Sequence, residues 1–200
     1  MLKSSIKTLL IPAIFLNATS TLSAISYDAL AIEALKRTEA NVRYEPAYVK
    51  LDYPMGDVPK ETGVCSDVVI RAYRALGIDL QELLHKDMKQ NFKKYPKTWS
   101  MKRTDTNIDH RRVPNLQVFF TRQGASLPIT STPESYKPGE IVTWNLKEQL
   151  GLLPHIEIVS NIKNSTGDTY LIVHNIGAGP QLEDSLFSYE ITGHYRYGLI

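Results

Sequence analysis

Cysteine is the scarcest chemistry-bearing residue in this 200-residue chain: there is one, Cys65. A lone thiol closes no internal disulfide. The chain also opens on an export signal, and exported proteins live where thiols are oxidised in pairs, so Cys65 needs another reason to be present. Net charge is nearly absent as well. Without Lys3 and Lys7 of the leader, 21 basic residues face 21 acidic ones, which argues against the basic footprint of a nucleic-acid binder. The short Cys/His ligand pairs of a zinc site are missing, as are internal repeats, low-complexity tracts and a second long hydrophobic run. What is there is 42% hydrophobic, ample for a core.

The leader reads over residues 1–24. Lys3 and Lys7 form its basic n-region, residues 8–16 are apolar, and Leu22-Ser23-Ala24 ends on a small residue at the cut. The apolar run is too short to span a bilayer, and no cysteine near the cut offers a lipoprotein anchor. The expected location is periplasmic or secreted, with no stable membrane span after cleavage. Residues 25–200, about 176 of them, suit one compact monomeric domain.

Residues 27–40 read as an amphipathic helix with Leu30, Ile32, Ala34 and Leu35 as its apolar members. Residues 42–62 are rich in Pro, Gly and Tyr and read as an irregular approach to the nucleophile helix. Cys65 then opens a helical pattern: Val69, Ala72 and Leu76 recur at spacings of four, three and four, and Gly77 is a C-cap candidate. A second helical stretch covers residues 80–92. A polar connection carries Trp99, Asp105 and Asp109-His110-Arg111-Arg112, and residues 114–123 read as a short helix turning Leu116, Phe119 and Phe120 to the core. After that the period changes to two. Strand-like runs at 140–144, 156–160 and 170–174 are separated by Pro138-Gly139, Gly151 and Gly167-Asp168, and residues 188–197 add a last strand. Helices first and an antiparallel sheet afterwards is an α+β layout.

A thiol in the first turn of a helix faces unpaired N–H groups and the positive end of the macrodipole, which favours thiolate. Acyl transfer by cysteine needs that thiolate, an imidazole to move the proton and a third group to orient the imidazole. His155 begins one predicted strand and His174 ends the next. In an antiparallel hairpin the start of one strand lies beside the end of its partner, so the two are expected to meet at one sheet edge, where the Cys65 helix could pack.

The order of these pieces resembles the NlpC-type cell-wall cysteine peptidases, papain-like hydrolases of peptidoglycan stem peptides. The matching pieces are Cys65-Ser66, Gly139-Glu140-Ile141-Val142, His155-Ile156-Glu157-Ile158 and Val173-His174. Tyr53-Pro54-Met55-Gly56 is similar to the Tyr-x-x-Gly that precedes the nucleophile in that family and helps form its oxyanion site. More narrowly, residues 50–197 resemble a bacterial family of domains of unknown function, number 1287, through Gly56-Asp57-Val58-Pro59, Asn107-Ile108-Asp109-His110-Arg111-Arg112-Val113-Pro114-Asn115, His174-Asn175-Ile176-Gly177 and Gly193-His194-Tyr195-Arg196. Two departures stand out. Val64 and Asp67 replace the Asp and Gly that flank Cys-Ser, and Glu157 replaces a small Gly. By strand alternation Glu157 shares a face with His155, where it could hold the imidazolium, select a cationic substrate group or obstruct the cleft.

The resemblance implies a papain-like fold with the nucleophile helix packed on an antiparallel sheet. It also implies an exported hydrolase cutting an amide bond in peptidoglycan, as endopeptidase or amidase. In that reading Cys65 attacks, His155 exchanges the proton, His174 orients His155, and Tyr53 with the Cys65 backbone N–H holds the oxyanion. Glu157, Asp109, Arg111 and Arg112 are the substrate-binding candidates, the arginines because a guanidinium is a bidentate fork for carboxylate. No metal or organic cofactor is implied. The alternatives are a transacylase or thioesterase on the same scaffold, and a cell-wall binding module without activity.

Overall fold

The computed structural model describes residues 26–147 and 150–198, so the leader expected over residues 1–24 lies outside the described residues. The first helix, α1 (Tyr27–Leu35), starts where Ser26 Oγ accepts from the Ala29 N–H at 3.2 Å. It is shorter than its expected span. Residues Lys36–Glu39 are uniformly polar and continue only as a 3-10 turn, since they have no apolar stripe to bury. Leu30, Ala31 and Ala34 face the core, whereas Ile32, expected on that face, is 43% exposed. Beyond α1, two-residue strands β1 (Arg43–Tyr44) and β2 (Thr62–Gly63) pair in parallel and bring the irregular segment back to its own end.

Helix α2 (Cys65–Ala75) opens on the cysteine and buries Val68, Val69 and Ala72, and Gly77 follows it at φ 82°, a conformation that glycine adopts without a Cβ clash. Helix α3 (Leu80–Gln90) is capped by Asp79, whose Oδ1 accepts from the Gln81 N–H. Helix α4 (Val113–Arg122) carries Pro114 in its first turn and buries Leu116, Phe119 and Phe120, the residues expected there.

Five strands follow among the described residues: β3 (Ile141–Asn145), β4 (Pro154–Lys163), β5 (Tyr170–His174), β6 (Gln181–Glu183) and β7 (Glu190–Tyr195). They form one antiparallel sheet in the order β6-β5-β4-β3-β7. The edge strand β6 has no hydrophobic alternation to announce it: both its glutamine and its glutamate are exposed. Helices α1 and α2 pack on β4. Strand alternation divides the sheet between two clusters. Ile141, Ile156, Ile158 and Val173 join the helices in one core. Val142, Trp144, Val159 and Ile172 join Tyr136 and Leu186 in the other. The architecture is α+β. Among the described residues no helix is long and apolar enough to cross a membrane.

Candidate active site

Cys65 is the first residue of α2. Val64 before it has no side-chain acceptor to cap the helix. Asp67 does that work from the third helical position, its Oδ2 accepting from the Val64 N–H at 2.7 Å. The same carboxylate is gripped by Arg111 through Nε–Oδ1 and Nη2–Oδ2 contacts of 2.9 Å each, and both side chains are buried. Ser66 Oγ donates to the Arg111 carbonyl at 2.9 Å. The Asp67 that departs from the cell-wall peptidase pattern thus couples the Cys65 turn to residues Asp109–Arg111.

A helix start alone favours thiolate, but Cys65 is 6% exposed. Burial, then the Glu157 carboxylate, push its thiol up to about 12, outweighing the backbone N–H groups of Ile156 and Ser66 that favour the anion. This corrects the expectation of a resting thiolate: desolvation costs the anion more than two amide donors return.

His155 and His174 stand with ring centroids 5.6 Å apart, edge to face. His174 Nε2 lies 2.8 Å from Glu183 Oε2, so β6, the strand without a sequence signal, supplies the partner of His174. His155 pairs across the sheet with Trp144, their rings 5.9 Å apart. Burial, then His174, lower the His155 pKa to about 3, leaving a neutral imidazole. Among the described residues no hydrogen bond joins the Cys65 sulfur to either imidazole. The backbone amide of Ile156, next to His155, meets the sulfur.

Glu157 is fully buried, with Oε1 accepting from the Asn175 N–H at 2.8 Å. Burial raises its pKa well above the usual carboxylate range. A carboxyl so enclosed reaches no substrate amine, so Glu157 is not a substrate-binding group in this structure. Asp109 is withdrawn for the same reason, whereas Arg111, its guanidinium turned to Asp67, still lines the cavity at Cys65. Asp109 is 1% exposed and accepts from the Asp105 N–H at 2.5 Å, and Arg111 is spent on Asp67. Arg112 alone of that group keeps a partly open guanidinium, held over the Trp99 ring at 4.3 Å and 3.3 Å from Asp109 Oδ1.

A cavity of about 200 Å³ opens onto Cys65 and is walled by Tyr44, Trp99, Arg112 and Pro154. Tyr53 is elsewhere, its ring edge-on to His85 of α3 at 5.1 Å. The neighbouring Met55 and Gly56 amides are held by Asp79 Oδ2 and Gln81 Oε1. The tyrosine beside the thiol is therefore Tyr44. Burial, then Cys65 and Glu157, raise its hydroxyl pKa, so it stays an O–H donor. Nothing in the local sequence marks Tyr44 over Tyr53, because the parallel β1–β2 pairing that sets Tyr44 opposite Gly63 has only two residues a side. Among the described residues no group of three His, Cys, Asp or Glu side chains could hold a metal ion.

Two other histidines are internal. His194 Nε2 is 2.6 Å from Glu140 Oε2 and its ring stacks on Tyr136 at 4.3 Å. His110 is 2% exposed, and burial, then Arg111, lower its pKa to about 3.

A helix-start cysteine packed on an antiparallel sheet that carries two adjoining histidines defines the class of this α+β fold. The chain belongs to the family described as Domain of unknown function (DUF1287), whose model matches residues 31–197. It is 51% identical over 169 residues to "Uncharacterized protein YijF" of Escherichia coli (strain K12), covering 84% of this chain and 80% of that one. Among solved structures, that of NlpC1 from Trichomonas vaginalis is similar at a TM-score of 0.44 and 15% identity. That alignment spans 86% of this chain and 44% of the other.

Proposed function

We propose that this chain is an exported, periplasmic or secreted, papain-like cysteine hydrolase that cleaves an amide bond of peptidoglycan stem peptides, as an endopeptidase or amidase. The observation that carries the reading is the position of Cys65, at the first residue of a helix in the wall of an apolar cavity. The Ile156 amide meets its sulfur, and the adjacent residue of β4, His155, has its ring 5.6 Å from that of His174. The motif order Cys-Ser, Gly-Glu-Ile-Val, His-Ile-Glu-Ile, Val-His supports the same assignment.

In this mechanism the resting site holds a thiol and a neutral imidazole. The Cys65 proton passes to His155 as sulfur forms its bond to the carbonyl carbon. The oxyanion is held by the Cys65 N–H and the Tyr44 hydroxyl. Collapse breaks the C–N bond, and His155 returns its proton to the departing amine. Water then attacks the thioester with His155 as base, releasing a carboxylic acid and the free thiol. His174, backed by Glu183, positions His155.

The high thiol pKa, raised by burial and Glu157, favours a second reading, a binding module without turnover. Mass spectrometry of muropeptides incubated with the mature protein and with Cys65→Ala separates them. Cleavage products that require Cys65 support the hydrolase, and products carrying a new acyl acceptor mark a transacylase. Intact muropeptides, together with no adduct from a thiol-directed electrophile, overturn the enzyme reading.

A further inference from the structure

On the other side of Val64 from the Cys65 cavity lies a second cavity of about 320 Å³, also walled by Val64. Its lining carries Arg37, Lys60, Arg71 and Arg74 against one carboxylate, Asp57. Asp57 Oδ2 is shared between Arg71 Nε at 2.9 Å and Arg74 Nη1 at 3.4 Å, and Arg74 Nη2 donates to the Gly56 carbonyl at 3.0 Å. Arg74 Nη2 reaches Asp79 only at 3.7 Å, and Lys60 lies 3.7 Å from Glu61 while its side chain is 91% exposed. No ion pair involves Arg37 among the described residues.

Buried donors in the same place lack acceptors. Arg74 Nε has no hydrogen-bond partner, Arg74 Nη1 has only its ion-pair contact with Asp57, and Nδ2 of Asn175, a wall residue that is 1% exposed, has no partner. Buried N–H groups without acceptors carry a desolvation cost that a ligand oxygen would relieve. The cavity is at the small end of the range for ligand sites. An excess of cations, unpaired donors and enclosure select an oxyanion.

We propose that this cavity is a binding site for an oxyanion, the carboxylate of a short peptide or a phosphate. Arg37 supplies uncompensated charge, Lys60 an exposed cation only loosely held by Glu61, and Asn175 and Arg74 supply donors. Binding there does not depend on the chemistry of Cys65.

Isothermal titration at low ionic strength, where screening is weak, tests it with inorganic phosphate and with N-acetylalanine as probes. The proteins are the mature wild type, Arg37→Gln/Lys60→Gln and Cys65→Ala. Saturable binding is expected for at least one probe, unchanged in Cys65→Ala and weakened by about tenfold or more in the double variant, the scale of a lost charged hydrogen bond. Saturation by N-acetylalanine alone identifies a peptide carboxylate, and saturation by phosphate alone a phosphate. Heat that never saturates with either probe, or binding that the double variant leaves intact, overturns the proposal. Both substituted side chains lack structural hydrogen bonds among the described residues, so unchanged circular dichroism of the double variant separates lost binding from lost fold.

Discussion

Glu157 Oε1 lies 3.8 Å from His155 Nε2, two residues apart on one face of β4. Neither His155 Nε2 nor Glu157 Oε2 has a hydrogen-bond partner. Burial drives both toward neutrality, the carboxyl upward and the imidazole down to about 3. A buried carboxylic acid therefore stands against a neutral ring, where the resembling cell-wall peptidases carry a glycine. This pairing governs how the site responds to pH.

The raised Glu157 pKa means that the folded chain binds a proton the unfolded chain has released above about 4.5. Its contribution to stability is complete below that pH and is lost as pH rises toward the folded value. Glu157→Gln keeps an acceptor for the Asn175 N–H and titrates nowhere. Its urea midpoint relative to wild type is expected to rise between pH 5 and pH 8. An offset that stays constant with pH would show that Glu157 is ionised in the fold.

His155 acts in the opposite sense. Its folded pKa lies below the unfolded value of about 6.5, so its contribution is complete above pH 6.5 and is lost as pH falls toward 3. His110 behaves alike. Between about pH 4.5 and 6.5 these two imidazoles are offset by Glu157 and by Asp109, which burial raises to about 6. Single substitutions unmask what the wild-type curve conceals. His155→Asn is expected to gain stability against wild type by about 1.4 kcal/mol per pH unit on acidification below 6.5. Equal slopes for the two proteins in chemical denaturation would contradict a neutral buried His155.

Alkylation of Cys65 by iodoacetamide across pH is expected to give an apparent pKa above the ~8.5 of a free thiol. Glu157→Gln lowers it, because the carboxylate is the largest charged contributor to the upward shift. A resting value below 7 would mean a preformed thiolate and a different proton inventory for the first step.

Tyr44→Phe removes the hydroxyl of the tyrosine that lines the thiol cavity. Steady-state hydrolysis of the stem peptide is expected to lose about 10²-fold in kcat, as for other single oxyanion donors, while Tyr53→Phe leaves kcat unchanged. The reverse pattern would return the oxyanion role to Tyr53.

Arg111→Met leaves the Asp67 carboxylate buried without its guanidinium, which costs about 3–5 kcal/mol. Pairing it with Asp67→Leu is expected to restore much of that loss, measured as a double-mutant cycle by urea denaturation. Additive losses would show that the two side chains do not act as a pair.

The helix at Cys65, the β4 and β5 strands and the approach of His155 to His174 are legible in the chain, because each rests on a short-range period or on hairpin antiparallelism. The end of α1 is not, since the polar residues beyond Leu35 carry helix formers without an apolar face. Strand β6 is not either, because an exposed edge strand needs no hydrophobic alternation.

By itself the sequence determined the layout, helices before a sheet, and the residues at element ends, since hydrophobic period and turn chemistry act over a few neighbours. Only the tertiary structure decided what those residues are electrostatically. Arg111 reads as a charged turn residue until the fold sets it on Asp67, 44 positions away. Tyr44, not Tyr53, stands beside the thiol, brought there by a two-residue strand pairing that no period announces. The Cys65 thiol obeys the same logic: the helix dipole that lowers its pKa is local and readable, whereas the burial and the Glu157 carboxyl that raise it come from packing against another part of the chain. Desolvation depends on everything that excludes water from a group, and no window of sequence contains that.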